Sequence, residues 1–509
     1  MGLRGSVLLG SRCLSIQTRP PLSTYNTGQP THETRPHYLP TPGNLTPGIS
    51  ALEYYTRRLE LMKDLPPKSI AILQGNQVKY SSGSVFYDFQ QDNDLFYLTG
   101  WLEPDSMAVL EKKGLEGDDV ILHMLVPPKN PRMELWEGEK LGLQGAYDFF
   151  NADLVEDINK APQYIDLLIS LNDYIYWDDR LGKRNASKFS NFFNLGGKES
   201  KSGTIQTIIE KSNKTKIALS PLVAKQRSIK SEAEIQVMQA AGQISGRAIN
   251  KAIAKVGSPS PLYTEKTLAK YLEYEFVKGG CDKQAYIPVV ASGKNALTIH
   301  YTRNDDLLYR DEMVFIDAGG KLGGYCADIS RTWPNSPNGF SEPQKDIYQV
   351  VLDVNKKCIE LCDETKEMSV HDIHEHSVKL LTQGLKNLPG FAAVTPTDVV
   401  TTLYPHYIGH HLGLDLHDIP SISRFQKLVQ GNVITIEPGL YIPQDDKWPK
   451  HYQGIGVRVE DDIVVGKNSD DILNLSAGCI KEVEDIEALI SKGEVTTPGA
   501  HEELIILDI

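Results

Sequence analysis

Several things are scarce in this 509-residue sequence, and each scarcity excludes a class of protein. No run of about eighteen apolar residues occurs, the longest candidate being "VILHMLVPP", so no segment reads as a membrane-spanning helix. The six cysteines (Cys13, Cys281, Cys326, Cys358, Cys362, Cys479) form no CxxC pair and no regular framework, which leaves free thiols in a reducing compartment. Basic charge is not in excess: 53 Lys and Arg face 66 Asp and Glu, a formal net charge of -13, so the chain is not built as a general binder of nucleic acid or anionic membrane. HExxH, the DTG loops of aspartic proteases and any short fixed-period repeat are also missing. One absence is local: no acid precedes Glu33, while Arg4, Arg12 and Arg19 punctuate the stretch and can line a helix face opposite Leu3, Val7, Leu8 and Leu14. That composition is a mitochondrial presequence, assigned to residues 1–35, with the matrix side as destination; the apolar "SVLLG" is too short for a secretory signal.

What is present is more than one hydrophobic core normally fills, so two domains are expected. After a Pro-rich passage from Pro30 to Pro47, Ser50 and Glu53 form a capping-box signature at the head of "SALEYYTRRLELMKDLPP", so folded structure is expected from about residue 40. "SIAILQG", "DLFYLTG" and "DVILHMLV" then read as strands between helical stretches, giving an α/β domain over 40–215. The polar "NLGGKESKSGT" is an exposed insertion or linker. Ser231 and Glu234 repeat the capping signature before a helix with Ile235, Met238, Ala241, Ala248 and Ile249 at helical spacing, opening a second domain over 222–490 and leaving a tail over 491–509.

In that second domain "EMVFIDAGG" and "YCADISRTW" are apolar, β-branched runs joined by a glycine-containing turn, which predicts a hairpin bringing Asp317 and Asp328 side by side. Two close carboxylates repel, so in a partly buried site they need a shared proton or a cation. Further hard ligands favour the cation. "PHYIGHHLGLDLHD" carries His406, His410, His411 and His417, "VITIEPGLYIP" carries Glu437 before a Pro-Gly turn, and "GIGVRVEDDIVV" carries Glu460. An oxygen-rich set with one imidazole favours a pair of Mn, Co or Zn ions over a structural thiolate site. Such a pair, sharing carboxylates, activates water toward a carbonyl. Arg458, two residues before Glu460, is expected on the same strand face as a charge partner. His411 reads as a neighbour pointing elsewhere, and "HDIHEH" (His371, His374, His376), starting after Ser369, as the polar face of a helix.

The ordered set Asp317, Asp328, His410, Glu437, Glu460, with "GHHLGLDLHD", "TIEPGLYIP", "GVRVEDDIVV", "NALTIHYTRN", "IKSEAEI" and "QDNDLFYLTGWLEPDS", resembles the aminopeptidase P branch of the prolidase and methionine aminopeptidase superfamily, including its mitochondrial members. The resemblance runs from about residue 40 to 490. It implies an α/β (α+β) chain, a creatinase-like amino-terminal domain followed by a pita-bread catalytic domain. It further implies two divalent metal ions, with Mn2+ expected: Asp328 and Glu460 bridge both, Asp317 binds one, and His410 and Glu437 bind the other. Glu437 also handles the proton of the attacking water, and His300, His406 and His417 steady the substrate carbonyl and the tetrahedral intermediate. Tyr441 and Trp136 are pocket aromatics, and Asp94 is a candidate for holding the substrate ammonium. The activity implied is release of a single amino-terminal residue from peptides or proteins, trimming imported chains after presequence removal, with a homodimer as the expected assembly. An X-Pro aminopeptidase or a prolidase is the alternative chemistry, and a metal-free peptide-binding relative the alternative class.

Overall fold

In the computed structural model the described residues are 28–114, 119–178 and 201–493, so nearly all of the expected presequence, most of the 194–204 linker and the tail beyond 493 lie outside them. Two compact units divide the chain after Arg227. Folded structure begins earlier than residue 40. The buried Gln29 side chain donates to Gly100 O at 2.7 Å and accepts from Leu102 N at 2.7 Å, so the chain is packed in the amino-terminal unit from Gln29 onward.

The amino-terminal unit is built on a six-stranded mixed sheet in the order Thr215–Ile217, Tyr174–Tyr176, Ser69–Gln74, Met107–Lys112, Val120–Val126, Leu154–Asp157. Ile70, Ile72, Met107, Val109, Leu125 and Ile175 pack against Ile165, Leu168 and Ile169 of the helix Ala161–Leu171 and Ile205 and Ile209 of the helix Lys201–Lys211. The period-two alternation of strand side chains puts Ile70 and Ile72 on one face, leaving Ala71 and Leu73 for the other. Ser50 caps the helix Ala51–Lys63 by accepting from Glu53 N, while Glu53 binds Arg57. One expected strand is a helix: "DLFYLTG" forms Asn93–Thr99, because Asp92 accepts from Asp94 N and Leu95 N at its start and Gly100, at φ 73°, closes its end. Caps at both termini outweigh the β-propensity of the aromatic and branched residues between them.

The carboxy-terminal unit is a set of small antiparallel sheets against helices. The helix Glu232–Ala254 opens it with the full Ser231–Glu234 capping box, and its buried face carries Val237, Met238, Ala241, Ile244, Ala248 and Ile249. Strands Val289–Ser292, Met313–Ala318 and Ile329–Pro334 form one sheet; Lys283–Gln284, Gly320–Leu322 and Tyr325–Cys326 form another. The predicted hairpin is therefore split across two sheets, turning at Gly323 (φ 54°) and Gly324 (φ 91°). Strands Val433–Ile436 and Asp461–Val464 pair with each other, as do Gly439–Tyr441 and Gly456–Arg458.

Candidate metal centre

Three backbone devices gather the polar residues. In the first, the register pairs Asp317 with Ser330 and Ala318 with Ile329, so Asp317 and Asp328 meet where the hairpin passes between its two sheets. Gly319 sits at that passage, where a Cβ would lie 1.8 Å from Ala327 O, so only glycine lets the two chains approach. In the second, Thr435 N donates to His410 O at 2.9 Å and Glu437 N to Ile408 O at 2.7 Å, laying His410 alongside the strand that delivers Glu437. In the third, Glu460 N donates to Ser330 O at 3.1 Å, and Ser330 Oγ donates to Glu460 Oε2 at 2.7 Å.

His410 Nε2 lies 3.4 Å from Asp328 Oδ2 and 3.8 Å from Glu437 Oε1. One ligand atom from each of Asp328, His410 and Glu460 falls within 4.8 Å of the others. Asp328 and Glu460 form the floor at 3% and 1% exposure, Asp317, His410 and Glu437 are half-buried, and His300 and His417 are exposed. The His417 ring sits 4.3 Å from that of His410. Arg458, wholly buried, reaches Asp317 Oδ2, donates to Ser330 Oγ at 2.9 Å and to Tyr441 OH at 3.0 Å, and lies 3.8 Å from Glu437 Oε2. Its strand ends at Arg458, so Arg458 and Glu460 are joined through Ser330 rather than by one continuous strand face. Tyr441 OH also lies 2.9 Å from His406 Nε2, while His406 Nδ1 lies 2.8 Å from Tyr407 O. A carbonyl only accepts, so Nδ1 carries the proton and Nε2 receives the tyrosine hydroxyl.

Sequence reasoning missed Tyr286. Its hydroxyl sits between Asp317 Oδ1 and Asp328 Oδ1, 2.6 Å from the latter. A single tyrosine between Ala285 and Ile287 carries no pattern that would have marked it.

Burial pushes Asp317 up to about 6 and Glu437 up to about 7 against the pull of Arg458, and pushes Glu460 up strongly, with the charges of Asp328 and Glu437 adding to it. Burial raises Asp328 too, but the hydrogen bond and charge of His410, with Tyr286 and Arg458, hold it below the ordinary range. His410 goes the other way: burial disfavours its cation, yet Asp328 and Glu437 lift it to about 9. Burial and then Arg458 lower His406 to about 3, so it is neutral. The pocket therefore favours positive charge, and among the described residues the carboxylates of Asp317, Asp328, Glu437 and Glu460 share Arg458 and a His410 proton.

Residues 236–467 match the pattern of "Metallopeptidase family M24", and residues 54–176 that of "Aminopeptidase P, N-terminal domain". The chain is 51% identical over 467 residues to intermediate cleaving peptidase 55 of Saccharomyces cerevisiae, covering 92% of this chain and 89% of the relative. The chain belongs to metallopeptidase family M24. Human Xaa-Pro aminopeptidase 3 is 35% identical, with 96% of each chain covered. An Arabidopsis thaliana relative named "Intermediate cleaving peptidase 55, mitochondrial" is 34% identical, with 91% of this chain and 87% of the relative covered. A crystal structure of the yeast peptidase superposes with a TM-score of 0.79 at 47% identity, over 89% of this chain and 100% of that one. This M24 enzyme therefore has an aminopeptidase P amino-terminal domain followed by a pita-bread catalytic domain.

Two other expected site residues belong to the amino-terminal unit, and two histidine signals in the carboxy-terminal unit have packing partners of their own. Asp94 is 5% exposed and paired with Arg227 at 2.6 Å inside the amino-terminal unit, so it is already neutralised and does not stand open to a substrate ammonium. Trp136, 82% exposed on the short helix Pro131–Glu137, belongs to the same unit. "HDIHEH" does start a helix, Val370–Lys386, but His374 is buried and stacked on Tyr407 at 4.3 Å, so the cluster is partly core rather than a polar face. His411 bridges to Ile434 and its Nδ1 is buried without a partner, away from the carboxylates that His410 meets.

Proposed function

We propose that this M24 enzyme is a mitochondrial aminopeptidase that removes a single amino-terminal residue from proteins after import, using two divalent cations, Mn2+ in the first instance. Asp317, Asp328, His410, Glu437 and Glu460 would hold the ions. The observation that carries this reading is the excess of buried carboxylate over buried cation around Arg458. Unpaired, such a set is costly, and hard oxygen ligands with one imidazole match divalent first-row ions. When bound, the ions supply Lewis acidity that activates a water and polarises the scissile carbonyl.

The chain's own residues do the rest. Glu437, half-buried and beside His410, takes a proton from the attacking water and returns it to the leaving amine nitrogen. Arg458 and Ser330 fix the carboxylates of Asp317 and Glu460, so little reorganisation remains when the substrate arrives. His300 and His417, both exposed, are the histidines open to a peptide. His406 has both ring nitrogens engaged and orients the Tyr441 hydroxyl instead. The human relative's name supports a second reading, cleavage only before proline.

One experiment separates these readings. Decapeptides with a free amino terminus, beginning Tyr or Leu and lacking proline, are incubated with the purified protein beside X-Pro and acetylated counterparts, and products are identified by mass. Loss of the first residue alone, abolished by chelation and restored by Mn2+, is expected for the free peptides. Cleavage confined to X-Pro substrates favours the second reading, and release of dipeptides or internal cleavage defeats both.

A further inference from the structure

A fully buried ion pair lies outside the ligand set. Lys230 Nζ meets Asp418 Oδ2 at 3.0 Å, and both side chains are 1% exposed. A buried pair of this kind is seldom a net source of stability, because desolvating both charges offsets their attraction. Its position is more informative than its energy. Asp418 directly follows His417, which is exposed, lies in no regular element, and has its ring beside that of His410. Directly after Asp418 comes Ile419 at φ 44°, a left-handed conformation that a β-branched residue keeps only where its surroundings over-determine it.

The surroundings do so. Asp418 N donates to His411 O at 2.9 Å, closing the loop that carries His417, and Lys321 Nζ donates to Leu414 O at 3.1 Å inside it. Gly413 has no room for a side chain, since a Cβ there would lie 2.4 Å from Asp418 Oδ2 and 3.1 Å from Lys230 Cε. Lys230 is itself pinned, its N donating to Gly431 O at 2.8 Å just before Ser231 caps the 23-residue helix Glu232–Ala254.

We propose that the Lys230–Asp418 pair is a positioning device that ties the loop after His410 to the start of this helix and so sets the His417 ring against the metal centre; this rests on the aminopeptidase reading above. Neither residue touches substrate. The pair acts through His417, so its removal matters only while His417 is present.

The test is a double-mutant cycle on the full chain loaded with Mn2+: wild type, K230M, H417A and K230M/H417A. Readouts are kcat and KM on a free-amino decapeptide, metal stoichiometry by mass spectrometry, and thermal melting. K230M is expected to lower kcat about ten- to a hundredfold, the scale of a misplacement of about 1 Å, with KM and metal content little changed. The double variant should be no slower than H417A alone, and K230R should recover part of kcat. Additive losses in the double variant, metal lost in proportion to activity, or wild-type kcat in K230M would each overturn the proposal. If K230M does not fold, D418N enters the same cycle with the same expected and refuting outcomes. Wild type without chelator-sensitive hydrolysis would bring down the aminopeptidase reading and this inference with it; an active wild type with an additive cycle brings down the inference alone.

Discussion

Replacing Arg458 by Met removes the guanidinium that Asp317 and Glu437 share. Arg458 touches Asp317 and approaches Glu437 while donating to Ser330 and Tyr441, all at 2% exposure of its own side chain. Breaking a buried pair by deleting one partner costs about 3–5 kcal/mol, because the other charge stays behind. For a unit of this size each kcal/mol moves Tm by about 2–4 °C, so chelated R458M should melt about 6–20 °C below chelated wild type. Bound cations supply the charge that Arg458 no longer does, and ligand saturation at about a thousand times Kd adds about 4 kcal/mol. The Mn2+-induced rise in Tm should therefore be larger in R458M than in wild type, read by differential scanning calorimetry with and without chelator. R458K, which keeps a charge but not the planar fork, should restore part of the chelated Tm without restoring the links to Tyr441 and Ser330. An equal Mn2+-induced rise in both proteins, or an unchanged chelated Tm in R458M, would refute the claim that the cluster is under-neutralised without metal.

Asp328→Ala and Glu460→Ala should each abolish hydrolysis and reduce bound metal, with the circular dichroism of the folded protein retained; turnover near wild type in either would remove these residues from the ligand set. Gln29→Ala breaks the bonds to Gly100 and Leu102 and should cost about 1–3 kcal/mol in the amino-terminal unit, measurable as a lowered melting transition. A chain beginning at residue 28 should melt like the full chain yet stay outside mitochondria; matrix import of that chain would contradict the targeting role given to the residues before it.

How much could be read beforehand follows from how local each signal is. The five proposed ligands sit in the short motifs that carry the family resemblance, and the structure brings Asp328, His410 and Glu460 within reach of one another. Gly319 and Gly409 lie where a Cβ would meet backbone oxygen, at 1.8 Å from Ala327 O and 1.9 Å from Thr435 O, a close approach that only the structure shows. The amino-terminal strands Ser69–Gln74 and Val120–Val126 were legible as apolar runs of strand length. "DLFYLTG" was misread because its outcome is decided at its two ends, by Asp92 and Gly100, rather than by the residues between. Tyr286 reaches Asp317 and Asp328 across 31 and 42 positions, and Lys230 reaches Asp418 across 188, distances over which no local pattern survives. The burial of His374 was hidden for the same reason, since Tyr407 and Tyr404 pack on it from another part of the chain.

The triplet Glu460, Asp461, Asp462 shows why three adjacent acids, indistinguishable as letters, have three different functions. Asp461 points away from the cleft, where Arg331 Nη2 lies at 2.8 Å and Lys481 Nζ at 2.5 Å. Burial works against its charge, but those two cations hold it well below the ordinary carboxylate range, so it is fully answered by the protein and needs no ion. Asp462 accepts from Asp328 N at 3.1 Å, fixing the backbone of a neighbouring proposed ligand; burial and then the charge of Asp328 push its carboxyl up strongly. Glu460 alone faces the cluster, with Ser330 Oγ as its side-chain donor and the charges of Asp328, Glu437 and Asp317 against it. Glu460 precedes the strand Asp461–Val464, whose alternation sets Asp462 on the side opposite Asp461, and the buried cations Arg331 and Lys481 go to Asp461. The protein thus pairs Asp461 with two cations and leaves Glu460, the proposed metal ligand, short of positive charge. Substituting Asp461 should therefore act on folding, and substituting Glu460 on metal content.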